Sequence, residues 1–505
     1  MSLSVFLEPE EAWEKIQQYA STYYDGMDAL YCGDHNKLHN TGKADSFWYR
    51  NNKCRVHVPL AADIAAMSSN LLFAKEPTYA IYHRDKEHAN GRQQKRLETI
   101  LLKNTFGNKL VEAAETCAAL GDVYVKLRWN TNIDYPMIDI VQPDQTWPEY
   151  IYGELKCVHF FTDISTDAEN NIYYRAYERY ESGKITMKLF KGDSTSLGSA
   201  EDESVLRELG YQPEIETPID ELLAVHIANI KPNRLYRSSN FGRSDYDGLR
   251  DTFDALDETF TSWMRDIRLA KARLIVPAEY LRARPSGMDE DLKRYGRFEF
   301  DTDVETYVAM DINTDTGGGT GITPSQFSIR STEHMATCEE LIRYILQMAG
   351  YSPNTFGFSV EGAAASGVAL NIRERKSAIT KDKKLKYWQT PLETILTSLV
   401  HLDANLYPKS GSHMEDRVVV VFADSMGSDV STVAQTLIDL TNAASASTIT
   451  KLRMLHPDWD EQQITEEIAR MRDEKMEAIA LPNMLLGQME GGENPQEAQP
   501  APEGE

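Results

Sequence analysis

The sequence predicts an α+β fold organised around a helical hairpin that carries a small β-rich insert. Three observations predict it. Leu249, Phe253, Leu256, Phe260, Trp263, Ile267, Ala270 and Leu274 are spaced 4, 3, 4, 3, 4, 3, 4, an unbroken apolar seam. Residues 278–330 then change to strand-like alternation around a glycine cluster, and a second helix leads back from near Ser331. Earlier in the chain, Val158–Phe161, Ile172–Tyr180 and Lys184–Phe190 read as an antiparallel meander, with Glu181-Ser182-Gly183 as a hairpin turn.

From the N-terminus, helices are expected over roughly 9–30, 56–75 and 88–120; Glu8-Pro9-Glu10-Glu11 is an acidic helix start ahead of Trp13, Ile16 and Tyr19. Strands follow at 121–128 and 137–141, then the meander, then a polar surface loop over 191–211. Leu222–Ile230 reads as a buried strand. The first hairpin helix is acidic in its first turns, with Asp247, Asp251, Asp254 and Glu258 on one face. Arg265, Arg268, Lys271 and Arg273 fill its last turns, which suits the helix dipole, and Pro277 ends it. Thirty such residues make a rod of roughly 45 Å. In the insert, 297–300, 306–310 and 326–329 alternate as strands. Gly317-Gly318-Gly319-Thr320-Gly321 is followed by Ile322-Thr323 and not by the Lys-Ser/Thr of a phosphate loop. The return helix carries Met335, Cys338, Ile342, Ile345 and Met348 inward and stops at Gly350. A loop of small residues, Phe356–Gly367, precedes a helix over 368–400 in which Pro391 is expected to cause a kink or a break. A β-branched strand at 417–423 and helices at 431–443, 446–456 and 459–479 follow. The tail beyond Gly487 has five Glu and no basic residue, a disordered composition.

The chain has 505 residues and a net charge of −25, which argues against a sequence-independent nucleic-acid coat. Against that background, residues 373–386 hold seven Lys or Arg and two acids. Arg373, Lys376, Lys383 and Lys384 fall within about 100° on a helical wheel, away from Leu370, Leu385, Trp388, Leu392 and Ile395. No apolar run approaches the length of a membrane span, and the N-terminus lacks a secretion signal. Cys32, Cys54, Cys117, Cys157 and Cys338 are scattered and read as reduced buried thiols, neither disulfides nor zinc ligands. His35, His226 and His413 have no evident partner. No nucleophile, base and oxyanion donor assemble, so no catalytic, cofactor or metal site is expected.

Several short motifs carry a family resemblance: Tyr31-Cys32-Gly33-Asp34-His35; Gly121-Asp122-Val123-Tyr124 followed by Val141-Gln142-Pro143-Asp144; Asn240-Phe241-Gly242-Arg243-Ser244-Asp245; Ala365-Ser366-Gly367-Val368-Ala369-Leu370; and Thr448-Ile449 with Met454-Leu455-His456-Pro457. Their order over about 450 residues resembles the portal proteins of tailed bacteriophages, in particular long-tailed phages of Gram-positive hosts. Cys32 departs from the family pattern.

The resemblance implies a portal fold: a wing (1–240), a stem of two helices (241–277 and 331–352) and a clip (278–330). It further implies a tunnel loop, long helix and second wing part (353–428), a helical crown (429–482) and a disordered acidic tail (483–505). It implies a non-enzymatic virion component at one capsid vertex, assembled in the host cytoplasm as a ring of about 12, possibly 13, copies around a DNA channel. Double-stranded DNA, the terminase large subunit, scaffold, major capsid protein and a head-completion adaptor are the implied partners, with no cofactor and no membrane. Arg373, Lys376, Lys383 and Lys384 are the candidate channel-facing charges, or else partners of a neighbour's acidic stem face. Val360, Glu361, Gly362, Ser366 and Gly367 belong to the tunnel loop, and Leu249, Phe253, Leu256, Phe260, Trp263 and Ile267 pack the stem. The other classes open to the sequence are a head-completion adaptor or minor capsid protein, and a DNA-packaging enzyme.

Overall fold

The computed structural model describes residues 6–33, 56–83, 91–130, 132–167, 170–270, 273–277, 308–310, 323–325, 328–358, 367–408, 410–422, 438, 447–455, 459 and 463–472. The chain divides into two compact units, one of residues 1–362 and 373–425 and the other of 363–372 and 426–505. Helix α1 (Pro9–Tyr19) runs through a π-helical turn (Ala20–Tyr24) into α2 (Asp25–Cys32), so the first expected helix is present. The widened turn lets Tyr19, Tyr23 and the adjacent Tyr24 all face the core. Helix α3 spans Leu60–Phe73 and strand β1 Thr78–His83. The helix expected over 88–120 is two, α4 (Gly91–Lys103) and α5 (Phe106–Leu120). The break lies at Asn104-Thr105: Thr105 is left-handed (φ 49°), and the Asn104 amide bonds the Ile100 and Pro136 carbonyls and the Ile138 N–H.

Gly121, at φ 104°, ends α5 and starts β2 (Asp122–Arg128), which lies between β3 (Met137–Val141) and β10 (Ala224–Ala228). Strands β4 (Thr146–Ile151), β5 (Glu154–Asp167), β6 (Ile172–Glu181) and β7 (Lys184–Gly192) form the expected meander. The turn at Ser182-Gly183 pairs Glu181 with Lys184. The expected loop after it holds β8 (Ser199–Ala200) and α6 (Glu203–Glu208), the latter capped by Asp202 through the Ser204 N–H. Strand β9 (Glu214–Glu216) pairs with β7.

The hairpin comprises α7 (Arg250–Leu269), the sheet strands β11 (Arg273–Pro277), β12 (Val308–Met310) and β13 (Thr323–Ser325), and α8 (Ser331–Ala349). The first helix was expected to reach Pro277. It stops at Leu269 instead, because Leu274-Ile275-Val276 pair as a strand, parallel to β12 and antiparallel to β13. Of the strand expected at 326–329, residues 328–329 are not in a strand and 326–327 fall outside the described residues, as do the strand expected at 297–300, the glycine cluster and the acidic tail. Helix α9 (Gly367–Leu406) continues through Pro391, so of the kink or break expected there the break is absent. Strand β14 (Asp416–Val421) pairs with β1, α10 spans Thr448–Leu455, and residues 463–472 are also helical.

The largest core gathers α4, α5, the β2 sheet and Trp388, Leu392, Ile395, Leu396 and Leu399 of α9. His401 ties α9 to its surroundings. Its Nδ1 faces the Glu221 carboxylate at 2.6 Å and its Nε2 the Asp416 carbonyl at 2.9 Å, two acceptors that only the doubly protonated ring satisfies. Burial pulls the His401 pKa down, but the Glu221 contact and the Asp416 carbonyl outweigh it, leaving it above the ordinary 6.5. A raised folded-state value means that this stabilisation is complete below pH 6.5 and is lost as pH rises through the higher folded value. Thermal unfolding between about pH 6 and pH 9 is therefore expected to show a downward slope that His401→Gln flattens. Equal slopes in the two proteins would remove His401 from the account.

Candidate functional site at the root of the helical hairpin

Helices α7 and α8 run antiparallel. At one end the Asp266 carboxylate accepts from Arg330 Nη2 (2.9 Å) and His334 Nε2 (3.0 Å), and the Trp263 ring stacks on His334 with an 8° interplanar angle. At the other end Tyr351, just past α8, bonds Asp245, just before α7. The expected seam is present with a gradient. Leu249, Phe253 and Leu256 are buried against Cys338, Ile345, Leu346 and Ala349; Phe260 and Trp263 are half-buried; Ile267 is exposed. Cys338 and Ile345 face inward as expected and Ile342 is half-buried, but Met335 and Met348 are about half exposed, at 50% and 52%. The inner face of α8 is completed by Leu346 and Ala349 instead.

Below the hairpin lies a buried polar node. Lys384 of α9 reaches Asp245 Oδ2 (2.5 Å), Ser68 Oγ of α3 (2.5 Å) and the Tyr351 hydroxyl (2.9 Å). The Tyr351 hydroxyl donates to the same Asp245 oxygen at 2.6 Å, and Asn229 Nδ2 donates to the other at 2.8 Å. Lys384 and Asp245 expose 1% and 0% of their side chains. Burial lowers the Lys384 pKa and the Asp245 charge opposes that shift, while burial raises the Tyr351 hydroxyl. Lys384 is therefore not a channel-facing charge. Its ammonium is spent inside the subunit, because a buried carboxylate requires a cation beside it.

Two of the sequence motifs meet at this node. Gly242 N–H donates to Asp122 Oδ1 at 2.7 Å, and Asn229 N–H donates to the Gly121 carbonyl at 2.9 Å. A Cβ on Gly242 would stand 2.1 Å from that carbonyl oxygen, so backbone packs directly on backbone. Ser244 Oγ and Asp245 N–H both donate to the Ala118 carbonyl, fixing the chain as it enters α7. Asp122, wholly buried, also accepts from His226 Nε2 (2.7 Å) and the Tyr24 hydroxyl (3.2 Å). His226 stacks on Tyr124 and meets the Tyr150 hydroxyl, so the partner that sequence reading did not find is present. Gly33, at φ 65°, caps α2, while Cys32 is exposed and not a buried thiol as expected; Cys117, Cys157 and Cys338 are buried.

The other expected site residues are scattered along α9. Lys376 is exposed, and its ammonium donates to the Gln347 carbonyl at the end of α8; Lys383 is exposed. Arg373 lies on the α9 backbone, with its side chain outside the described residues. Val360, Glu361, Gly362 and Ser366 lie outside them too, and Gly367 is the first residue of α9. Ser68, Asn229 and Tyr351 were not singled out from sequence, and Lys384, between Lys383 and Leu385, carries no local sign of its burial.

Residues 13–480 match the family described as phage portal protein, SPP1 Gp6-like. The chain belongs to that family. Its members are structural, non-enzymatic components of the phage particle, so the packaging-enzyme alternative falls. Two solved structures are similar to this portal-family chain at 10% identity. One, "Neck of empty GTA particle computed with C6 symmetry", has a TM-score of 0.43 over 82% of this chain and 93% of that one. The other, "Virion of native gene transfer agent (GTA) particle", has a TM-score of 0.39 over 79% and 89%. No curated protein matches the chain.

Proposed function

We propose that this chain closes into a ring at one capsid vertex, and that the ring's channel passes double-stranded DNA during packaging and ejection. The hairpin carries the proposal. Its root is fixed by buried polar contacts, while Ile267, Met335, Tyr344 and Met348 leave apolar surface exposed along it. A neighbouring copy covers such a surface in a cyclic head-to-tail assembly. In this reading α7 and α8 are the stem, residues 278–330 the clip, and residues 1–240 with about 401–425 the wing; 429–482 form the crown. The terminase large subunit docks on the assembled ring and head-completion and tail proteins replace it, while scaffold and major capsid protein surround it in the host cytoplasm. Lys376, Lys383 and Arg373 are the remaining candidates for touching DNA, with residues 356–367 as the tunnel loop. Sparse cations in an acidic wall touch phosphates without holding them, since each neutralised phosphate adds salt-dependent affinity.

Solution mass and electron-microscopy class averages test this. Rings of about 12 or 13 subunits around a central hole are expected, either from the purified chain or after co-expression with its scaffold and capsid proteins. A chain that stays monomeric with those partners present overturns the proposal.

A further inference from the structure

Cys157 and His159 stand two residues apart on β5, so both project from one face of the sheet, and Glu149 on β4 is the cross-strand partner of Cys157. The Cys157 sulfur, His159 Nε2 and a Glu149 oxygen all lie within 4.8 Å of one another. Sulfur and nitrogen are 3.5 Å apart. A tetrahedral zinc ion, with Zn–S of about 2.3 Å and Zn–N of about 2.0 Å, sets its ligands roughly 3.5 Å apart. Glu149 Oε1 sits closer to Nε2, at 2.6 Å, a hydrogen bond that would open by somewhat under about 1 Å to admit an ion. The other ring nitrogen, Nδ1, meets the Tyr177 hydroxyl at 2.8 Å, the kind of outer contact that orients a ligating imidazole. Glu181, in register with Cys157 on the opposite neighbour β6, adds a second carboxylate beside the thiol, itself paired with Arg179. Cys157 and His159 are buried, whereas Glu149 keeps 17% of its side chain exposed, so the cluster meets solvent through Glu149.

We propose that Glu149, Cys157 and His159 bind one zinc-like divalent cation per chain, with water as the fourth ligand. On binding, the thiol releases its proton to solvent. The imidazole proton moves from Nε2 to Nδ1, where the Tyr177 oxygen accepts it. Because Glu149 also accepts from the Leu7 N–H at 2.9 Å, the ion would stiffen the attachment of the N-terminal segment to the sheet.

Cobalt(II) titration of the purified full-length chain tests it. The expected result is a near-ultraviolet thiolate-to-cobalt band that saturates at one equivalent per chain and disappears when zinc is added. Cys157→Ser should abolish the band and Cys32→Ser should leave it. Glu149→Gln, which keeps the shape of the hydrogen-bonded carboxylate, should weaken binding at least about tenfold and guards against a misfolded Cys157→Ser. No band in the native chain, or a band unchanged in both Cys157→Ser and Glu149→Gln, overturns the proposal.

Discussion

Replacing Lys384 with alanine is expected to destabilise the first compact unit by about 3–5 kcal/mol, because it strands the buried Asp245 carboxylate without a cation. Asp245 exposes none of its side chain, and among its partners Asn229, Tyr351 and Lys384 only Lys384 carries a charge to balance it. The loss should exceed that of Lys383→Ala, one residue earlier on the exposed side of α9, where a change within about 0.5 kcal/mol is expected. The double variant Lys384→Met with Asp245→Asn should recover much of the loss, since a buried ion pair replaced by neutral groups of similar volume is often near neutral. Urea unfolding of the four proteins measures these differences. If Lys384→Ala were as mild as Lys383→Ala, the Lys384–Asp245 pair would not be what holds α9 to the root of the hairpin.

The residues around Lys384 also mark where sequence reading stopped. The helical wheel groups Lys384 with Lys383 and Lys376 because it uses only positions along α9. The residue that decides its role is Asp245, 139 positions away. Burial periodicity, by contrast, is local, and the 4-3 seam correctly marked the inner face of α7 through Leu256. The same local rule failed at Leu274, which kept the heptad spacing while sitting in a strand. There the adjacent Ile275-Val276 pair, which packs well on a pleated surface and poorly in a helix, was the better guide. Met335 and Met348 were assigned inward on spacing alone. Helix α8 instead turns Leu346 and Ala349 inward, beside the expected Cys338 and Ile345. The Gly-x-Ser-Asp run was legible as a motif, but its physical content is the close contact with Gly121, which no single segment contains. Cys157 was read as a buried thiol outside any zinc site; Glu149 comes beside it only through the register of β4 against β5.

That contact with Gly121 sets the second large effect. Gly242→Ala would place a methyl group 2.1 Å from the Gly121 carbonyl oxygen and 2.9 Å from the Asn229 nitrogen. Both are main-chain atoms, so no rotamer change relieves the clash and the two segments must separate. Separation lengthens the Asn229–Gly121 bond and the Gly242–Asp122 bond. It also leaves Asp122, fully buried, with fewer donors. Overpacking of about 1–3 kcal/mol together with the desolvation cost of an under-bonded buried group predicts a loss above about 3 kcal/mol. Gly153→Ala is the matched comparison, because Gly153 has φ 85° but nothing within 4 Å of the added Cβ. It should cost only the left-handed backbone penalty, about 1–2 kcal/mol. A steric origin at the root requires the Gly242 variant to unfold at much lower urea than the Gly153 variant. Equal midpoints would mean that the two segments can part without loss, and that the root of the hairpin is compliant and not fixed.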